Sequence, residues 1–354
     1  MDIGGANTKV ALVQTKKEKI VESYSYIEYF PFWENAISKI TDMLNRIIKN
    51  IVDKNNFDLD KVNYVAIAIT AELSDAFQTK REGILVILDA LEQVFDISKM
   101  RFITTQNKFI DYESSKLNYS LISAANWVST ALFLGEFINQ CILIDAGSTT
   151  IDLIPIIDSV PVSKGKDDIS RLINHELIYT GGLRATIPSI THYVPYKNQN
   201  VRISFEKFAL VSDVHRILKN ITSEEYLNDT ADNRSKSLED CYARLSRIIC
   251  MDLEMISKNE LDLIAKYIYQ KQLMIITKEI RVFMDNLILR FPEFRKNPTF
   301  IITGLSAEFL IKKPLKDLGY TNILRLEEIT KISDNITSSA FAVAGALFNQ
   351  LLNM

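Results

Sequence analysis

Apolar residues recur along this chain with two different periods, and the period changes with position. Residues 33–52 carry Trp33, Ala36, Ile37, Ile40, Met43, Leu44, Ile47, Ile48, Ile51 and Val52 at steps of three and four, which predicts an amphipathic helix. Residues 62–70 (VNYVAIAIT) and 141–145 (CILID) are short apolar runs rich in β-branched side chains, the pattern of strands buried on both faces. Further strands are expected at 9–13, 101–104, 151–157, 299–303 and 322–326, and helices at 83–95 and 123–137. Residues 206–218, 238–257 and 260–289 read as long helices, with polar 222–237 as a loop, and 338–352 as a closing helix. An α/β first part is thus followed by a helical insertion at about 205–290 and a short α/β return.

One internal repeat stands out. Asp2-Ile3-Gly4-Gly5-Ala6-Asn7-Thr8-Lys9 aligns without gaps on Asp145-Ala146-Gly147-Ser148-Thr149-Thr150-Ile151-Asp152. A chain of 354 residues suits two domains. The expected bounds are 1–138, with helix 338–352 packing back on it, and 139–335, carrying the insertion. The first loop follows Met1 directly, which predicts a shortened first strand, a looser Asp2 and a melting temperature that rises when upstream strand residues are added.

The repeat has a chemistry. Gly4, Gly5 and Gly147 let backbone N–H groups approach an anion without a Cβ in the way. Asn7, Thr8, Ser148, Thr149 and Thr150 add side-chain donors, and Lys9 a point charge. Asp2 and Asp145 are expected to face each other beside a polyphosphate and hold Mg²⁺, with Asp152 as a third candidate. A lone Asp-x-Gly turn is weak, because both residues are common in turns. Two copies in register are the stronger signal. Residues 300–306 then read strand, Gly304, small residue, helix: either a nucleoside site or a plain strand–helix turn.

Net charge is −3, so no basic excess favours nucleic acid or anionic membranes. Cys141, Cys241 and Cys250 form no disulfide framework and point to a reducing, cytoplasmic setting. His175, His192 and His215 match no metal-ligand spacing and read as structural or surface residues. The longest apolar stretches, 124–137 and 336–352, contain polar residues and do not read as membrane spans. Trp127, beside Asn126 on an apolar helix, reads as core.

Residues 2–9, 145–152 and 303–305, in this order, resemble the phosphate and adenosine loops of the actin, hexokinase and Hsp70 superfamily. That resemblance implies an actin-like ATPase fold, two RNase H-like domains hinged about a cleft. Residues 70–77 (TAELSDAF), 124–127 (AANW), 144–156 (IDAGSTTIDLIPI), 176–181 (ELIYTG) and 244–247 (RLSR) are more specific. They resemble the hydantoinase/oxoprolinase-like proteins of the tetrahydromethanopterin- and methanofuran-linked one-carbon pathway of methanogenic archaea.

The resemblance implies a transferase. An (aminomethyl)furanmethyl diphosphate would condense with γ-glutamyltyramine to an aryl ether, releasing diphosphate, with Mg²⁺ as cofactor. Gly4, Gly5, Asn7, Thr8 and Lys9 would contact one end of the diphosphate, and Gly147, Ser148, Thr149 and Thr150 the other. Glu72 or Asp75, in the loop after strand 62–69, would accept the phenol proton or bind the aminomethyl cation; helix N-terminal carboxylates are the plainer reading. Arg184 is the candidate for phosphate or the γ-glutamyl carboxylate. Two other readings stay open: an ATP-dependent small-molecule kinase or oxoprolinase-type hydrolase, and a non-catalytic nucleotide-gated protein docking through 206–289. The partners expected are small molecules, with a homodimer left open.

Overall fold

The computed structural model describes residues 1–16, 19–55, 58–331 and 338–352. Residues 332–337, which include the end of the expected second domain and the start of the 336–352 stretch, lie outside the described residues. The chain divides into two compact units. The first comprises Met1–Cys141, Ile154–Arg171 and Glu327–Met354, the second Ile142–Leu153 and Leu172–Leu326.

The first unit is built on strands β1 (Asp2–Gly4), β2 (Asn7–Lys16), β3 (Lys19–Tyr29), β4 (Val65–Thr70), β5 (Met100–Ile103) and β6 (Phe109–Ile110), in the order β3-β2-β1-β4-β5-β6. The hairpin β1–β2 is antiparallel and sets Asp2 opposite Lys9 and Ile3 opposite Thr8. β4 runs parallel to β1 and β5. Val65–Ile69 are all buried, as an unbroken apolar run requires when both faces are covered. Helix Ile40–Asn55 buries Ile40, Met43, Leu44 and Ile47, one stripe at steps of three and four. Helix Ser338–Leu352 packs on helix Asn126–Gly135 and on β2. Gly345 permits that approach, since a Cβ there would lie 2.4 Å from the Phe133 ring.

Two local expectations in this unit are corrected, and in the second unit the helices expected over 206–218 and 238–257 are shorter, Val211–Ile217 and Leu238–Arg247. The helix expected from residue 33 begins at Ile40. Phe32–Glu34 and Ile37–Lys39 are separate 3-10 turns, broken where Asn35 and Ala36 are extended. The Asn35 amide donates to Pro31 O at 2.8 Å, a local bond that competes with helix. Strand β3 was not expected at all. None of its residues is buried, so it carries no apolar period, and its pairing with β2 makes it a strand.

The second sheet uses β7 (Cys141–Ala146), β8 (Ile151–Ile157), β9 (Val160–Pro161) and β10 (Leu177–Ile178). After a separate hairpin of β11 (Tyr193–Tyr196) and β12 (Gln199–Arg202), it is completed by β13 (Phe300–Thr303) and β14 (Ile323–Arg325). Its order is β10-β8-β7-β13-β14, with β9 on β8. β13 runs parallel to β7 and β14 and sets Thr303 opposite Asp145. Both sheets therefore repeat one order: third, second, first, fourth, fifth. This is the duplicated α/β plan that the repeated loop implied, and the RNase H-like one that the superfamily resemblance implied.

The helical insertion has its own core. Helices Val211–Ile217, Leu238–Arg247 and Lys258–Arg290 bury Val214, Leu245, Leu261, Ile264 and Ile268 together. Ser257 and Glu260 form a capping box at the start of the longest. Arg244 of the RLSR segment is buried, with NH2 2.8 Å from Asp213 and NH1 3.0 Å from Asp232. Its charge is thus paired, as burial demands, and it ties two helices to the 222–237 loop. No helix among the described residues is long and apolar enough to cross a membrane.

Candidate functional site

Each unit carries one copy of the Asp-x-Gly turn. In the first, Asp2 is 4% exposed. Its Oδ2 accepts from Ser339 Oγ at 2.6 Å, and its Oδ1 is buried with no partner among the described residues. Lys9 Nζ stands 3.4 Å from the same Ser339 Oγ. The carbonyls of Gly5 and Ala6 accept from Phe32 N (3.0 Å) and Phe30 N (2.9 Å). A trans peptide points its N–H opposite its C=O, so the Ala6 and Asn7 N–H groups face away from Phe30 and Phe32. Gly4 closes β1, where a Cβ would come within 2.9 Å of Asn7 O; a Cβ on Gly5 would meet nothing within 4 Å among the described residues, its chain neighbours aside. Thr8 is fully buried, its hydroxyl unpartnered among the described residues.

The second turn is backed more heavily. Gly147 N donates to Thr150 O at 2.9 Å and closes it. Gly147 O then accepts from Gly182 N (3.0 Å) and Ser306 Oγ (2.9 Å), Ser148 O from Leu183 N (2.9 Å) and Arg184 N (3.1 Å), and Thr149 O from Gly181 N (2.9 Å). With three successive carbonyls drawn one way, the Ser148, Thr149 and Thr150 N–H groups point the other way. Three successive N–H groups thus share one side of the turn. The approach is close: a Cβ on Gly181 would lie 2.7 Å from Gly147 O and from the carbonyl carbons of Ser148 and Thr149. Gly304, at φ +92°, occupies the left-handed region; a Cβ there would lie 2.5 Å from Ala146 O and 2.6 Å from Asp145 Oδ1. Gly304 thus serves the packing of the strand–helix turn onto Asp145. Asp145 is half-buried, and Asp152 lies opposite Leu177 on β8.

The structure separates the two loop carboxylates of the first unit. Asp75 is exposed. Glu72 is 2% exposed, with Oε2 unpartnered among the described residues. Burial pushes its carboxyl up to about 7, while backbone N–H groups of Glu72 and Ala124 and the charge of Lys80 pull the other way. Neither residue is a helix N-terminal carboxylate, because helix Lys80–Glu92 is capped by Thr79, which accepts from Glu82 N. Gly83 of that helix lies against the loop, where a Cβ would come within 2.8 Å of Glu72 Cα. Arg184 backs the second turn with its N–H and exposes its side chain. Trp127 is buried beneath the Arg171 guanidinium, 4.3 Å from the ring centre.

Residues without a local sequence signal complete both turns. Ser339 reaches Asp2, and Ser306 reaches Gly147, from remote parts of the chain. The Gly181-Gly182 pair is visible in the sequence as a turn, yet its contact with residues 147–149 is purely tertiary.

The hydantoinase/oxoprolinase family profile matches residues 63–344. The (4-{4-[2-(γ-L-glutamylamino)ethyl]phenoxymethyl}furan-2-yl)methanamine synthase of Methanocaldococcus jannaschii is 36% identical over 353 residues, covering 99% of this chain and 97% of that protein. The synthase of the same name from Methanococcus vannielii is 32% identical over 224 residues, 61% of this chain and 96% of that protein. Among solved structures, nucleotide-free acetone carboxylase aligns at 13% identity over 87% of this chain with a TM-score of 0.47, and this chain spans 45% of it. The activator of 2-hydroxyisocaproyl-CoA dehydratase from Clostridium difficile aligns at 12% identity, covering 99% of this chain and 94% of that one, with a TM-score of 0.44. The chain belongs to the hydantoinase/oxoprolinase family.

Proposed function

We propose that this chain is a methanofuran-biosynthesis transferase with the reaction of its two curated relatives, joining an (aminomethyl)furanmethyl diphosphate to γ-glutamyltyramine. The observation that carries the reading is 36% identity sustained along 99% of the chain. In the reaction the phenol oxygen bonds to the furanmethyl carbon and the bond from that carbon to the phosphate oxygen breaks. Diphosphate leaves with the electron pair, and the phenol proton goes to a base. A furanmethyl carbon bears positive charge well, so most of the barrier lies in stabilising the departing anion.

The nest of Ser148, Thr149 and Thr150 suits that anion. Because the carbonyls behind them are already bonded, these donors need no reorganisation when charge develops. Glu72 is the proposed proton acceptor. Its unpartnered buried oxygen and a carboxyl near 7 make it a better base at neutral pH than exposed Asp75.

Mg²⁺ is the proposed cofactor. Among the described residues no group of three or more His, Cys, Asp or Glu could hold a metal by itself. Mg²⁺ suits such a donor set, since it takes one or two carboxylates and completes its shell with water and substrate phosphate. In the first unit the buried Asp2 oxygen that has no partner among the described residues fits a hard cation; in the second unit Asp145 or Asp152 is the candidate, each as a single carboxylate with water and substrate phosphate completing the shell. Bound there, the ion would neutralise diphosphate charge.

The test is incubation with the furan diphosphate and γ-glutamyltyramine, followed by mass detection of the ether and assay of pyrophosphate. Ether with stoichiometric pyrophosphate is expected; folded protein that forms none overturns the reading. Thermal stabilisation by Mg²⁺–pyrophosphate but not Mg²⁺–ATP is the companion result, and the reverse pattern supports an ATP-dependent reaction instead.

A further inference from the structure

Helix Lys258–Arg290 reaches the backing of the second turn through two side chains. Gln272 is fully buried, and its Nε2 donates to Thr180 Oγ1 at 3.0 Å and to Gly181 O at 3.1 Å. Tyr269, one helical turn earlier, donates its hydroxyl to Phe309 O at 2.5 Å. Gly181 heads the segment whose N–H groups hold the carbonyls of 147–149. Phe309 follows Ser306, whose hydroxyl holds Gly147 O. One helix therefore fixes both segments that back the turn.

Behind Gln272 stands His215, fully buried in helix Val211–Ile217. Since the Gln272 amide nitrogen donates twice, its Oε1 is the acceptor toward His215 Nε2, 3.0 Å away. His215 thus carries its proton on Nε2, and its Nδ1 accepts from Asn220 Nδ2 at 3.0 Å. The ring is wedged between Phe309, with centroids 4.6 Å apart, and Tyr269, at 5.5 Å. Burial lowers its basicity to about 4, so the imidazole is neutral at neutral pH and the direction of every bond is fixed. All the bonding positions this geometry demands of Gln272 and His215 are filled. A fully satisfied buried network of this kind resists rotation, because any turn leaves polar atoms unpaired.

We propose that Gln272 and His215 are positioning residues for the diphosphate turn, acting through Thr180 and Gly181 to keep the Ser148, Thr149 and Thr150 N–H groups aimed at the leaving group. The ligand named here rests on the reading given under Proposed function; the mechanical part does not. A methionine at 272 fills similar space and cannot donate, so it isolates the hydrogen bonds.

The experiment compares Gln272→Met with Leu261→Ala, a core truncation eleven residues, about three turns, earlier on the same helix. Two readouts are taken well below the melting temperature: hydrogen exchange of the 181–184 amides in the free protein, and affinity for inorganic pyrophosphate with Mg²⁺. Gln272→Met is expected to speed exchange at 181–184 and to weaken pyrophosphate binding, each about tenfold or more. Leu261→Ala should lower the melting temperature and leave both readouts unchanged. Asn220→Ala releases only His215 Nδ1 and is the milder second probe, about two- to threefold in the same direction. Wild-type exchange and affinity in Gln272→Met, or equal losses in Leu261→Ala, overturn the proposal. If the wild-type protein binds no pyrophosphate while 181–184 exchange still responds to Gln272→Met, the diphosphate reading falls and the positioning of the turn stands.

Discussion

The two Asp-x-Gly turns share their Asp and first Gly and are held in different ways. The first is backed by its own neighbourhood: Phe30 and Phe32, just past β3, supply the N–H groups that take its carbonyls. The second is backed from afar, by Gly181–Arg184 and Ser306. Their acids differ too. Asp2 is buried with one oxygen that has no partner among the described residues, and Glu72 in the same unit repeats that condition. Asp145 is half-buried, but the glycines around its turn are crowded to the limit. The first unit thus stores desolvated acid, and the second stores crowded backbone. A repeat in sequence specifies a turn; what makes the turn rigid or reactive comes from elsewhere.

The largest expected effect tests the crowding. Gly181→Ala places a methyl 2.7 Å from three backbone atoms of residues 147–149, none of which can swing aside as a side-chain tip does. The nest has to shift, and a displacement of about 1 Å in a binding site costs roughly 100-fold in rate. Overpacking adds a stability loss of about 1–3 kcal/mol. Ether formation and thermal melting check both. Near-normal turnover would show that the second turn does not need its backing.

Much of this contrast was legible in the sequence, and the reason it stopped is physical. The repeat, β4 and β7, the helical insertion and the single Gly304 are local patterns, read from neighbours a few positions apart. Glu72 and Asp75 looked equivalent, because a loop sequence does not reveal which carboxylate the next helix covers. Ser306, Ser339 and Gln272 were invisible for the same reason: each acts on a residue far away in sequence. The 33–39 segment misled because its apolar spacing is helical while Asn35 breaks the backbone. β3 was missed because an exposed strand has no hydrophobic period to read.

The second effect tests the stored acid. Burial raises Glu72 from 4.5 to about 7, so the folded protein binds this proton more tightly than the unfolded chain does. The group's full contribution to stability is present below about pH 4.5 and is lost as pH rises through about 7, roughly 3 kcal/mol in all. Glu72→Gln should remove that slope, measured by urea unfolding at about pH 5 and about pH 8. If Glu72 is the base, the same change erases the rise of turnover with pH through about 7. An unchanged stability slope would remove the claim that Glu72 is desolvated.

A smaller effect separates the two aspartates. Asp2→Ala removes the acceptor of the buried Ser339 hydroxyl, so a stability loss of about 1 kcal/mol or more is expected together with loss of Mg²⁺-dependent turnover. Asp145→Ala should also abolish metal-dependent turnover, with the melting temperature almost unmoved because the residue is only half-buried. Equal melting shifts in the two variants would break the contrast between the turns.

The smallest effect belongs to Gly5→Ala. Among the described residues, its chain neighbours aside, no atom lies within 4 Å of the added methyl, and Gly5 is not among the glycines with positive φ. Neither crowding nor backbone strain opposes the change, so stability should stay within about 0.5 kcal/mol of the parent. The space beside Gly5 is nevertheless where a contribution of the first turn to phosphate binding can be tested. A methyl there should weaken pyrophosphate binding severalfold while the melting curve stays put. Gly181→Ala lowers affinity and stability together, because it deforms the protein; Gly5→Ala lowers affinity alone, because it obstructs only the ligand. Unchanged affinity in Gly5→Ala would mean that the nest at 148–150 holds the leaving group without the first turn, and that the repeat persists there for the fold and not for the chemistry.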